Sequence, residues 1–239
     1  MTSVLCLHGI GGKDASMPGW SEEWKAAICM TGAFEKKPCF SFMKMDDLFV
    51  ESRSRIGTRY HDAILWFLES WLNCEAPKEK AMFLKSMRWY ASMPAQFVTD
   101  RILRDSLKER LSTCIRLNQP TVIFAHSLGS LILYDLLKEN LSAFRDLTII
   151  TAGTQLGHPV LSRLFGHVHA LHVRSWINLH NSHDLVFASN PLNICSPCFN
   201  QVDTPFYSGV FNHDAFHYIC HQHSRSAWMK TCCALAAPE

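Results

Sequence analysis

The serine at position 127 has the sequence surroundings of an enzyme nucleophile. It lies in AHSLG, residues 125–129, between a β-branched apolar run over 121–125 and a segment over 130–138 whose apolar residues have helical spacing. A serine at such a strand–turn–helix junction stands clear of the sheet edge, and small residues two positions before and after it let strand and helix pack closely. An ordinary tight turn is the alternative. We predict that Ser127 attacks a carbonyl carbon.

A second feature is the glycine-rich turn HGIGG, residues 8–12, which directly follows the apolar run 4–7. A turn of this kind after a first strand can cradle phosphate, but its glycine spacing does not fit a dinucleotide-binding loop, and no GKS or GKT follows. Its backbone N–H groups can instead be aimed at a developing oxyanion. The two motifs together indicate acyl chemistry rather than nucleotide binding.

With HGIGG early in the chain and AHSLG later, the sequence resembles the α/β-hydrolase superfamily, most of all its small bacterial serine lipases and esterases whose elbow begins with alanine. The resemblance extends from residue 4 to roughly residue 220 and leaves out residues 50–117. It implies an oxyanion hole formed by the backbone N–H groups of Ile10 and Leu128. Five residues beside them would shape the two turns: His8, Gly9, Gly11, His126 and Gly129.

The same resemblance implies a carboxylate after the serine in the chain. Asp184 follows the strand-like run 176–179 and would orient the imidazole and stabilise the imidazolium. Asp203 is a weaker alternative, because it lies further on in a stretch flanked by proline. A turn or a helix cap would be the ordinary role of an aspartate such as Asp184.

The base must come from the late histidines at positions 213, 217, 221 and 223. His213 is favoured, because it precedes the closing helix and because residues 213–216 have the His-x-x-aromatic pattern of many of these hydrolases. His217, one helical turn later, stays the alternative base. His221 and His223 are expected to face solvent.

The elements that must position these residues indicate an α/β protein. Apolar runs typical of strands alternate with helical segments, which predicts a doubly wound, mostly parallel sheet of α/β-hydrolase type in a single domain over 1–239. The predicted strands are 4–7, 40–45, 121–125, 147–151, 176–179 and a last short strand within 202–210. The predicted helices are 21–30, 61–72, a stretch over 78–117 interrupted near Pro94, 130–138 and a closing helix over 215–236.

The segment 50–117 is predicted to be a helical insertion, and its part 78–117 carries a net charge of +5. Leucines at 103, 107 and 111 have the spacing of a buried helical face. One interpretation is helices packed on the sheet with a solvated basic face. The other is a cap whose aromatic residues, among them Trp89 and Phe97, line an acyl pocket, with peripheral contact to an anionic membrane through 78–117.

Composition excludes several classes of protein. The chain is 48% hydrophobic and 18% charged, which excludes intrinsic disorder, and its net charge of +2 gives no argument for a nucleic-acid partner. The N-terminus lacks the basic region and long apolar run of a secretion signal, so we expect a cytoplasmic location and reduced cysteines. The CxxC at 195–198 has no second CxxC and no regular spacing to a partner, so we expect no metal and no organic cofactor.

The function expected from these residues is hydrolysis of a carboxylic ester, with small-molecule or lipid-like esters as substrates, through an acyl-enzyme on Ser127. An acyltransferase or thioesterase would use the same triad, and a non-catalytic binding module could share the fold. The sequence leaves the oligomeric state, the acyl chain length and the head group open.

Overall fold

The computed structural model describes most of the chain. The described residues are 2–8, 19–57, 59–72, 91–139, 143–159, 161, 165–186, 188–209 and 211–236.

Six strands form one sheet in which every neighbouring pair is parallel. The order across the sheet is β2-β1-β3-β4-β5-β6, so the chain first adds a strand on one side of β1 and then builds outward on the other side. This arrangement confirms the α/β class. The strands are β1 (Ser3–Leu7), β2 (Cys39–Met43), β3 (Val122–His126), β4 (Thr148–Ala152), β5 (Ser175–His180) and β6 (Phe199–Asp203).

Helices cover both faces of the sheet. They are α1 (Trp20–Met30), α2 (Asp46–Ile56), α3 (Arg59–Leu72), α4 (Arg101–Asn118), α5 (Leu128–Glu139), α6 (Ala215–Cys220) and α7 (Gln222–Ala236). Residues 91–99 are also helical. Within the described ranges, none of the helices has the length and apolar character needed to cross a bilayer.

Two apolar cores lie on opposite faces of the sheet, because successive side chains of a strand point to opposite sides. One core takes Leu5, Ile123 and Ile149 from the strands and packs them against α4 and α5. The other takes Phe124 and Ile150 and packs them against apolar side chains of α1, α6 and α7. Both faces of the sheet are therefore buried, as is usual for parallel sheets.

The register places the carboxyl ends of the strands in one row. Leu7 lies opposite Ala125, His126 lies opposite Ala152, and His180 lies opposite Asp203. The loops that follow β1, β3, β4, β5 and β6 therefore start at the same edge of the sheet. Ligands of open α/β sheets bind at this edge.

Two predicted elements differ at the C-terminal side of the chain. The last strand is Phe199–Asp203 and not within 202–210, and it ends before Pro205, which has no N–H for a strand ladder. The predicted closing helix over 215–236 is two helices separated at His221, whose ψ of 140° is not helical. The Ser224 hydroxyl donates to the Tyr218 carbonyl over 2.6 Å, and so satisfies an acceptor that the break leaves open.

Two further differences lie between β2 and β3. Helix α2 was not among the separate helices predicted, although its residues 50–56 belong to the predicted helical insertion and the acidic residues Asp46 and Asp47 in its first turn favour a helix N-terminus. The interruption predicted near Pro94 falls at Asp100 instead, because Pro94 lies inside the helical residues 91–99. The Asp100 side chain caps α4 by accepting from the backbone N–H groups of Ile102 and Leu103.

The described part of the predicted insertion packs on the sheet. Leu103, Leu107, Leu111 and Phe97 are fully or almost fully buried in the core that contains α5. Several basic side chains of α4 have polar partners within the molecule: Arg110 pairs with Asp47, Lys108 pairs with Glu139, and Arg104 donates to the carbonyls of Phe97 and Val98. Residues 78–90, with Trp89, lie outside the described part of the chain, and membrane contact stays a prediction.

Candidate active site

Ser127 has a left-handed backbone, with φ of +55°. Such a conformation is unusual for a residue with a side chain, and it costs roughly 1–3 kcal/mol unless the surroundings enforce it. Ser127 lies directly between β3 and α5, and its N–H donates to the Ala152 carbonyl over 2.9 Å, which continues the ladder to β4 by one step. The turn therefore holds the serine side chain at the carboxyl edge of the sheet.

Gly129 explains why the helix can begin so close to the sheet. A Cβ atom at this position would lie 2.7 Å from the carbonyl oxygen of Leu7, and backbone atoms cannot yield as a flexible side chain can. Only glycine therefore allows α5 to pack against the end of β1. This is the structural reason for the small residue two positions after the serine.

Ser127, His213 and Asp184 form one chain of hydrogen bonds. The His213 Nε2 atom lies 2.8 Å from the Ser127 Oγ atom, and the His213 Nδ1 atom lies 2.5 Å from the Asp184 Oδ2 atom. The other carboxylate oxygen, Oδ1, accepts from the Val186 N–H over 2.8 Å. This order places a base next to the serine hydroxyl and an anion behind the base, as nucleophilic acyl chemistry requires.

The three side chains are shielded from water. Asp184 is completely buried, Ser127 is 1% exposed, and the His213 side chain is 7% exposed. Charges interact more strongly in such surroundings than in water. The Asp184 carboxylate is therefore well placed to stabilise a positive charge that forms on His213.

Gly153 directly follows β4, and the His213 ring packs against it. Its φ is +54°, and a Cβ atom there would lie 3.0 Å from His213 Cε1 and 3.2 Å from a ring carbon of Tyr218. A larger residue would have to displace the imidazole from Ser127. Gly153 is thus required both by its backbone conformation and by the approach of the ring.

The loop after β4 also contacts neighbours of Ser127 and of Asp184. The Thr154 hydroxyl lies 2.7 Å from that of Ser130, and the Ser130 hydroxyl donates to the Ser127 carbonyl. The Gln155 amide donates to the Val186 carbonyl over 3.2 Å, and the Val186 N–H holds Asp184. Residues 153–155 therefore border the His213 ring and contact the residues that hydrogen-bond to Ser127 and Asp184.

Two asparagines lock the loop of the acid to the segment of the base. The Asn181 amide donates to the carbonyls of Phe206 and Asn212, over 3.1 and 3.3 Å. The Asn212 amide donates back to the His183 carbonyl over 2.9 Å, from a left-handed backbone with φ of +55°. These bonds fix the distance between Asp184 and His213, which come from different loops.

Two more histidines lie beside His213 and stay neutral. Burial, with smaller contributions from His213 and His8, holds the pKa of His126 well below its usual range. Burial also lowers the pKa of His8 to about 4, and its ring stacks on Trp24 at 5.1 Å between centroids. Neither ring therefore carries a charge near pH 7 that would oppose an imidazolium at His213.

The structure separates the favoured residues from their alternatives. The His217 side chain is 41% exposed and lies 3.1 Å from Asp214, so it faces away from the serine. The Asp203 side chain is 78% exposed and lies 3.3 Å from His180. His221 and His223 pack on one another near α7, with ring centroids 4.8 Å apart.

One of the two residues predicted to form an oxyanion hole lies in the described part of the chain. Leu128 is the first residue of α5, so its backbone N–H is one of those that a helix leaves without an intrahelical acceptor. Ile10, Gly9 and Gly11 lie outside the described residues. In the described part of the chain, no group of three or more His, Cys, Asp or Glu side chains could hold a metal ion.

Sequence reasoning missed several residues of the site, including Gly153, Gln155 and Tyr218. None of them belongs to a motif, and their roles arise from contacts between loops that are far apart in the chain. The one usable signal is positional: Gly153 ends a strand, and the loops after parallel strands meet at one edge.

The comparisons with known proteins add no relative to this description. Comparison of the chain with protein-family models, with curated proteins and with solved structures gave no match.

Proposed function

We propose that this protein is a serine hydrolase of the α/β-hydrolase type that cleaves carboxylic esters. The observation that carries the proposal is the hydrogen-bonded chain from Asp184 through His213 to Ser127, with the serine on a left-handed turn at the carboxyl edge of a parallel sheet. Each of the three residues follows a different strand or loop, and their contacts have the order that acyl transfer needs.

In the proposed reaction, Ser127 Oγ attacks the ester carbonyl carbon while its proton passes to His213 Nε2. The C–O bond of the tetrahedral intermediate then breaks, and the same proton passes from His213 to the leaving alkoxide. Water attacks the acyl-enzyme in the second half by the same route, which releases the acid and restores the serine. Asp184 holds the ring with Nε2 toward the serine throughout.

The Leu128 N–H supports this proposal as a donor to the developing oxyanion. It follows the nucleophile directly and points from the start of a helix, where the partial positive charge of the helix favours an anion. Ile10 is proposed as the second donor on the basis of the sequence alone. Lipid-like esters are the proposed substrate class, with thioesters as the alternative acyl donors. Transfer to an acceptor other than water is distinguished by comparing the products with and without an added alcohol or thiol.

The test is replacement of the serine. We expect Ser127→Ala to lower kcat on a short-chain ester about 10⁴-fold or more and to abolish labelling by a fluorophosphonate probe. Ser106→Ala, in α4, is the matched control and should behave as the unmodified protein. An unmodified protein that neither hydrolyses esters nor reacts with the probe, or a folded Ser127→Ala variant of normal activity, would contradict the proposal.

A further inference from the structure

Tyr218 lies in α6, the helix that directly follows His213, and its hydroxyl donates to Asp184 Oδ2 over 2.7 Å. The same oxygen lies 2.5 Å from His213 Nδ1. Because Asp184 is completely buried, water does not solvate its charge. Tyr218 and the Val186 N–H therefore supply part of the solvation that an ionised carboxylate needs.

We propose that Tyr218 is a positioning residue of this site: it fixes the Asp184 carboxylate against His213 and draws negative charge from the oxygen that faces the imidazole. The kinetic part of this inference rests on the proposed hydrolase function. The structural part, a tyrosine that controls the aspartate–histidine contact, does not.

The Tyr218 ring has little freedom to leave this position. It is fully buried and meets the ring of Phe206 edge to face at 4.8 Å between centroids. Its backbone carbonyl accepts from the Ser224 hydroxyl, and its ring borders Gly153. The hydroxyl therefore stays on Asp184 and adds a third fixed contact to a carboxylate that the Val186 N–H and His213 also hold.

Tyr218 is a hydrogen-bond donor throughout the working pH range. Burial, and then the neighbouring Asp184 charge, raise the pKa of the Tyr218 hydroxyl well above its usual range, so it stays protonated. It also competes with His213 for the charge of Asp184. Removal of the hydroxyl should concentrate that charge on the imidazole, and His213 should then keep its proton to higher pH.

The other groups around His213 do not compete with it for the charge of Asp184. His8 comes from the loop after β1 and His126 from the end of β3, and both have lowered pKa values that keep them neutral. Ser127 is the hydroxyl on the opposite side of the ring. Asp184 is the anion among these neighbours, and Tyr218 is the side chain that donates a hydrogen bond to the same carboxylate oxygen.

The test variant is Tyr218→Phe, which keeps the ring and removes the hydroxyl. The matched control is Tyr134→Phe: Tyr134 is also buried and accepts from the His169 N–H over 3.0 Å, but it packs in the core on the other face of the sheet. We expect Tyr218→Phe to lower kcat about tenfold with little change in KM. The acid limb of its kcat/KM profile should move about 0.5–1 pH unit upward. Tyr134→Phe should change neither.

A second readout does not depend on activity. The pH titration of the His213 ring, followed by NMR, should move to higher pH in Tyr218→Phe and stay unchanged in Tyr134→Phe. If the ring titrates alike in all three proteins, Tyr218 has only a packing role and the proposal is wrong. A shifted titration in a protein without esterase activity would support the positioning role and contradict the proposed function instead.

Monofluorotyrosine at position 218 gives a further check that does not require the phenylalanine variant to fold. A fluorinated phenol is a stronger donor than tyrosine, so the His213 titration should move to lower pH. A shift upward or no shift would overturn the proposal.

Discussion

Asp184 uses both carboxylate oxygens, and this decides what an isosteric replacement can do. Oδ1 accepts from the Val186 N–H, while Oδ2 faces His213 and Tyr218. An asparagine has one oxygen and one NH₂ group, so it cannot accept on both sides. Its NH₂ group toward His213 would favour the imidazole tautomer that already carries its proton on Nε2, so that Nε2 could not accept the proton of Ser127.

We therefore expect Asp184→Asn to lower kcat about 10³- to 10⁴-fold while the fold survives. Asp203→Asn is the control, since the Asp203 side chain is largely exposed and faces His180. Steady-state kinetics of the two purified variants on one ester give the comparison. Equal activity in both variants, or a loss confined to Asp203→Asn, would show that Asp184 is not the acid.

At the residue scale, the sequence marks the three residues of the candidate site by a motif or by a loop position. Ser127 stands in AHSLG, and Asp184 and His213 follow predicted strands or precede a predicted helix; the structure brings these three together. Tyr218 could not be predicted, because nothing in a helix of six residues shows which side chain reaches a loop 34 positions earlier. Contacts of that kind depend on packing between distant segments.

At the scale of elements, the residues that follow β4 help to position His213 and Asp184, although no sequence motif marks them. Gly153 seats His213, and Gln155 supports the peptide that holds Asp184. Gly157 in the same loop approaches the Asn190 carbonyl so closely that a Cβ atom would lie 2.5 Å from it. The loop after β4 and the loop after β5 therefore behave as one packed unit.

Two glycine-to-alanine changes separate backbone strain from steric displacement. Gly153 and Gly166 both have left-handed backbones, with φ of +54° and +71°, so alanine costs about 1 kcal/mol or more at each. A Cβ atom at Gly166 meets nothing within 4 Å, whereas at Gly153 it meets His213. We expect Gly153→Ala to lose at least about tenfold in kcat/KM and Gly166→Ala to keep it. Similar activities would show that the His213 ring does not depend on this glycine.

The central strands were predictable because they are continuous apolar, β-branched runs that are buried on both faces. Every residue of β3 and of β4 is buried, and the sequence marks both clearly. Strand β6 was misplaced because it lies at the sheet edge and none of its residues is buried, so it carries no apolar run. The break at His221 goes with a side-chain bond from Ser224, which periodicity does not report.

For the whole molecule, buried neutral histidines link stability to pH. His158 is 1% exposed, and burial lowers its pKa to about 4 from an ordinary value of 6.5. The unfolded chain therefore binds a proton that the folded chain does not, between about pH 6.5 and 4. The stabilisation is present above this range and is lost as the pH falls through it.

From this pKa difference, His158 alone should reduce the free energy of unfolding by about 2 kcal/mol between pH 7 and pH 5. His158→Gln should remove that part of the pH dependence, and exposed His172→Gln should leave it unchanged. Urea unfolding at the two pH values measures the difference. If the free energy of unfolding falls as much between pH 7 and pH 5 in His158→Gln as in the unmodified protein, this histidine is protonated at little cost in the folded state.

The order of the strands also determines the stage of folding at which Ser127 and His213 come together. From β3 onward each new strand is added at the same outer edge, and His213, with Tyr218, arrives only after β6. His213 lies 86 positions after Ser127, so its docking closes a long loop, although the pairing of β1 with β3 spans more of the chain. A partly folded copy can hold the serine turn and the central sheet and still lack a base. Recovery of activity on refolding should therefore follow the slowest kinetic phase, after most secondary structure has formed, and incomplete copies should be inert toward esters.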